Sequence, residues 1–168
     1  MSYSIYDASI PPMIAMLGNI SKIMTKAVAE AKDKQIALSA LLEARLAPDM
    51  HPFPRQIQIM SDAAKGCGAR LAGIEAPNMP DTETTFPELQ ARISKTIDFL
   101  KSITREQLDG AEDRTVTLKF PQGEMKFSGR DFVSRFALPN FYFHATTAYG
   151  LLRHKGITIG KMDYLGGQ

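Results

Sequence analysis

Asn140 and His144 lie four residues apart in the run Pro139-Asn140-Phe141-Tyr142-Phe143-His144. On a helix such residues are stacked neighbours of one face, so an amide and an imidazole would share a single patch. Two chemistries follow. A neutral imidazole can ligate a divalent metal such as zinc, nickel or manganese. Alternatively the pair can hydrogen-bond inside a bundle, where an unsatisfied polar group costs about 1 to 3 kcal/mol. Asparagine offers a metal only a neutral oxygen, so a site built on this pair would be weak or selective for a hard ion.

Catalytic zinc takes three protein ligands and an open position. The chain has three histidines. His51, between Met50 and Pro52, is the second candidate metal ligand after His144. His154 follows His144 by ten residues, about 80° off its helical bearing, and suits the negative end of a helix dipole better than a shared site. Gln58 and Asp62 share another helix face, which His51 and Arg55 extend toward its N-terminus. That stripe avoids the apolar seam and reads as a solvated face, unless the helix is covered on two sides. Asn140, His144, Gln58 and Asp62 are therefore the candidate ligand-binding residues. Cys67 sits in the apolar seam and reads as a core residue, because a reactive thiolate needs an accessible, electropositive setting.

Positioning these groups requires a folded core, and 168 residues with 44% hydrophobic content suit a single domain spanning 1–168. The formal charge is +2 with Lys and Arg interleaved among Asp and Glu. No basic stripe marks a nucleic-acid partner. No uncharged apolar run reaches the length of a membrane span. The first residues lack the basic and apolar regions of a signal peptide, and one cysteine permits no internal disulfide, so the cytoplasm is the expected location.

Ser9 before Ile10-Pro11-Pro12 predicts a helix start, with prolines in the first turn where amide donors lack partners. Met13, Met16, Leu17, Ile20, Ile23, Met24 and Ala27 continue it at helical spacing. A short helix is predicted within 35–46. Phe53, Ile57, Met60, Ala64, Cys67, Leu71 and Ile74 then alternate steps of four and three, the seam of a helix packed in a bundle. Gly66 and Gly68 should admit a neighbouring helix closely. Residues 75–84 read as a loop, and Thr85 with Glu88 forms a capping box for the helix carrying Leu89, Ile93, Ile97 and Leu100. Alternation at Val116, Leu118 and Phe120, the turn Pro121-Gln122-Gly123, and Met125 with Phe127 predict a β-hairpin at about 115–127. Ser128 with Asp131 restarts a helix that runs to about Lys155 and stops at Gly156, and Pro139 should kink it.

The segments Ala47-Pro48-Asp49-Met50, Gln56 to Asp62, Pro139 to His144 and Gly160-Lys161 to Gly166 resemble a bacterial family of domains of unknown function. It is the one numbered nineteen ninety-three, within the DinB-like superfamily. The resemblance runs nearly end to end. It implies a mainly α fold, a four-helix bundle with a long crossover and the small inserted hairpin, often as a homodimer. It also implies a divalent metal held by three histidines in better-known members, some of which transfer or isomerise thiol adducts. Aligned on Leu152-Arg153, His144 takes the place of the second histidine in a His-x-x-x-His motif, and Asn140 replaces the first. His51 is the nearest match to the remaining one. The resemblance thus implies a degenerate metal site that binds a small molecule or a weakly held ion, with His144 as anchor and Asn140 as its orienting partner. An active metal-dependent enzyme with His51, His144 and a carboxylate such as Asp62 is the alternative, and a structural or stress-associated dimer is another.

Overall fold

A computed structural model describes residues 4–167. Four long helices, α1 (Ile5–Asp33), α3 (Phe53–Ala72), α4 (Phe86–Lys101) and α6 (Leu138–His154), form the bundle. Each of α1 and α3 packs on both α4 and α6, and α1 also meets α3. A short α2 (Leu38–Leu42) occupies part of the segment expected to be helical between α1 and α3. The connection from α4 to α6 carries strands β1 (Thr115–Phe120) and β2 (Gly123–Ser128) and helix α5 (Gly129–Phe132). A final α7 (Lys161–Leu165) lies against α1. No helix among the described residues is long and apolar enough to cross a membrane.

The first helix begins one turn earlier than its prolines suggest. Ser4 caps it, its Oγ accepting from the Asp7 amide at 3.3 Å while the Asp7 carboxylate accepts from the Ser4 amide at 3.2 Å. Ser9, expected as the cap, is buried and donates its hydroxyl to the Ile5 carbonyl at 2.6 Å. Pro11 and Pro12 lie inside the helix, where a missing donor and ring clash cost about 3 kcal/mol in isolation. Fully buried Ile10, Met13 and Leu17 on the same stretch hold it against the core. Tertiary burial outweighs the local preference.

The seam on α3 is as its spacing predicts: Phe53, Ile57, Met60, Ala64, Cys67 and Leu71 are all sealed from solvent. Ile74 departs from it, because Gly73 adopts a left-handed φ of 69° that ends the helix and leaves Ile74 exposed. Of the two glycines, Gly68 is the close-approach position. A Cβ there would meet Ile103 Cδ1 at 2.5 Å and Leu100 Cδ2 at 3.1 Å, whereas one on Gly66 would meet only the mobile end of Arg70 on the same helix. Burial pushes the Cys67 thiol up to about 12, as befits an inert core residue.

The hairpin pairs Val116 with Phe127 and Leu118 with Met125. Val116 and Leu118 face the core, and Phe127 sits 5.9 Å from the ring of Phe136, itself stacked on Phe132. Ser128 caps α5 as its spacing with Asp131 predicts. Between α5 and α6 the chain widens into a π-helical turn, Val133–Ala137, and Pro139 then falls at the start of α6 rather than within it. The wide turn absorbs the hydrogen bond that proline cannot make.

Candidate functional site

His144 lies on the face of α6 that packs on α3, beside buried Phe141, Ala145 and Ala148. Its Nδ1 is 2.6 Å from Oε1 of Gln56, in the N-terminal turns of α3, and Nε2 of Gln56 donates to the backbone carbonyl of His51 at 2.9 Å. A carbonyl can only accept, so the amide nitrogen of Gln56 must face His51 and its oxygen must face the imidazole. His144 Nδ1 therefore carries the proton, and the lone pair is on Nε2. Burial, then the positive charge of His51 and of Arg55, holds the imidazole down at about 4, which keeps it neutral at ordinary pH. Among the described residues only Ser61 Oγ and Arg92 Nε are sealed from solvent without a partner. His144 Nε2, which no described residue engages, therefore borders solvent. A ring nitrogen fixed by a second hydrogen bond and a free neutral partner nitrogen is the arrangement that makes histidine a ligand or proton acceptor.

The other candidates are distributed differently. Asn140 is half-buried at the margin of that face, and the orienting hydrogen bond expected from it comes from Gln56 on α3 instead. His51 has an exposed side chain, and its backbone carbonyl is the group that fixes Gln56. Among the described residues no three His, Cys, Asp or Glu side chains converge as a metal cage.

Gln58 and Asp62 belong to a second cluster, built around Arg92 of α4. The Arg92 side chain is 1% exposed, donates to Asp62 at 2.8 Å and to Glu83 at 3.0 Å, and forms an ion pair with Asp81 at 3.0 Å. Its Nη1 also reaches the carbonyls of Met79 and Pro80. Gln58 Nε2 donates to Glu83 at 3.0 Å, Lys65 pairs with Asp62 at 2.9 Å, and Arg55 pairs with Asp81. The stripe expected to be solvated is thus covered by the loop 75–84 and tied to α4. Three carboxylates face three cations, which is how a buried guanidinium is tolerated. A cleft of about 530 Å³ opens above Arg92 between this loop and α4, floored by Met79, Pro80, Ala91 and Phe99.

Gln56 and Arg92 were the residues the spacing alone did not single out. Both sit at the third step of an apolar face, Phe53-Gln56-Ile57-Met60 and Leu89-Arg92-Ile93-Thr96, and both are almost completely buried. A polar side chain in that slot is the signal that could have marked them, since a buried polar group needs a dedicated partner.

Four packed helices with a hairpin between the third and fourth define a DinB-like bundle. The chain belongs to the family described as Domain of unknown function (DUF1993), whose model matches residues 5–165. It is similar to a DinB family member protein from Shewanella denitrificans, whose crystal structure has 40% sequence identity and a TM-score of 0.89. The match covers 97% of this chain and 92% of that one. No curated protein matches the chain.

Proposed function

We propose that this DinB-like protein binds a small molecule where α6 meets the first turns of α3, with His144 as the polar anchor. The observation that carries the reading is the Gln56 bond to Nδ1, which presents a neutral, unengaged Nε2 at the edge of the core. Gln56 takes the orienting role, and Asn140 lies on the rim. A divalent ion held only by His144 and His51 would be weakly held, since structural and catalytic sites use three or four protein ligands.

The test is an NMR titration of the full chain, purified without an affinity tag, with a panel of neutral, anionic and cationic small molecules and with zinc chloride. A saturable shift of the His144 ring signals by an organic or inorganic small molecule supports the reading. If no member of the panel moves those signals, the reading fails. Stoichiometric metal that is retained by the wild type and lost in His144→Ala would replace it with the metal-dependent enzyme.

A further inference from the structure

We propose that the cleft between α4 and the loop 75–84 is a second binding site, and that its ligand is an apolar α-amino acid held as the zwitterion. The cleft has a volume of about 530 Å³, within the range of small-molecule sites, and neither His144 nor Gln56 belongs to its lining. One wall is the α4 face on which Arg92, Lys95 and Phe99 recur at helical spacing, and the other is the loop from Pro77 to Glu83.

The loop wall is fastened from beneath. Arg92 donates to the carbonyls of Met79 and Pro80 and to the Glu83 carboxylate, so a ligand need not order that wall on binding. Met79 and Phe99, both half-buried, offer apolar surface from the two sides. An apolar side chain placed there leaves water.

Charge supplies the selectivity. Five charged side chains line the cleft, Glu83, Glu88, Arg92, Lys95 and Asp98. Arg92 and Glu83 pair with each other, and the Glu88 carboxylate closes the cap of α4, accepting from the amides of Thr84 and Thr85. Lys95 and Asp98 are left open: both are exposed, and neither side chain has a hydrogen bond or ion pair with a described residue. Residues three apart on a helix are neighbours, yet here two opposite charges line one cleft without closing on each other. A cation alone would face Lys95, and an anion alone would face Asp98. A molecule that carries both charges on one carbon offers its carboxylate to Lys95 and its ammonium to Asp98, with its side chain left for Met79 and Phe99. An α-amino acid with an apolar side chain is the simplest such molecule.

The experiment titrates the full chain with leucine, leucine amide and N-acetyl-leucine at neutral pH and constant ionic strength, following the Met79 methyl and the Lys95 and Asp98 amide signals by NMR. Leucine amide lacks the carboxylate, and N-acetyl-leucine lacks the ammonium. Leucine should shift these signals saturably, and each blocked analogue should bind about three- to fivefold more weakly, the worth of one exposed ion pair. Lys95→Gln should erase the preference over leucine amide, and Asp98→Asn the preference over N-acetyl-leucine, with spectra otherwise native because both positions are exposed. Leucine that leaves the Met79 methyl unmoved overturns the inference. So does a blocked analogue that binds as tightly as leucine, or a preference that survives both substitutions. None of these results bears on His144, whose ring signals report the other site separately.

Discussion

Gln56 on α3 and His144 on α6 share one 2.6 Å hydrogen bond, and it decides which imidazole nitrogen faces solvent. Because Gln56 is itself held by the His51 carbonyl, the tautomer is set by three segments of the chain rather than by the ring's own helix.

Gln56→Glu places a carboxylate against the Nδ1 proton and so favours the imidazolium. The His144 titration, held at about 4 in the native protein, should move up toward or beyond the ordinary histidine value. A pH series of the His144 ring signals measures this, and an unchanged midpoint would mean that the bond does not govern the ring.

His144 also makes stability depend on pH. Its folded pKa is depressed below the ordinary 6.5 by burial and by His51 and Arg55. The unfolded chain therefore binds the extra proton first. This contribution is intact above about 6.5 and is lost as pH falls toward about 4. The carboxylates lowered by hydrogen bonds, Glu30 and Glu88, start from 4.5 and lose theirs in a more acidic range. Urea midpoints should fall between pH 6.5 and 4.5 in the wild type, and the decline should flatten in His144→Gln.

Arg92→Leu leaves Asp62, Asp81 and Glu83 facing one another beneath the loop. Asp62 and Asp81 keep Lys65 and Arg55 while Glu83 loses its guanidinium partner, so the urea midpoint should fall, and the loop 75–84, released from α4, should become the first site of proteolytic cleavage. Arg92→Lys should recover little, since one ammonium cannot span carboxylates that a planar guanidinium reaches together. Chemical denaturation with limited proteolysis checks both.

Two glycines should differ in tolerance. Alanine at Gly68 meets the ends of the Ile103 and Leu100 side chains, an overpacking of about 1 to 3 kcal/mol. Alanine at Gly129 would overlap the backbone carbonyl of Ala111, beside the hydrogen bond from Arg130 to Glu112. Side chains can rotate away and that backbone cannot, so Gly129→Ala should lower the melting temperature more than Gly68→Ala.

Local chemistry was legible where a pattern repeats or a cap closes over three residues. The α3 seam from Phe53 to Leu71, the Thr85–Glu88 box, the hairpin and the Ser128 start all stand as their spacing predicts. The prolines of α1 were misleading because a first-turn preference is worth less than burying the residues around it. Gln58 and Asp62 looked solvated because nothing in the α3 sequence reveals that a loop some twenty residues later returns to cover that face.

The sequence by itself determined the bundle: apolar periodicity, caps and turn residues act over a few positions and need no distant partner. The family likeness was equally a matter of linear motifs. Only the tertiary structure decided that Gln56 rather than Asn140 orients His144, and that Asp62, the carboxylate expected nearer the histidine, is held by Arg92. A hydrogen bond depends on a few tenths of an ångström and on the rotation of each helix about its axis. Periodicity fixes which face is buried, but not which neighbouring side chain that face meets.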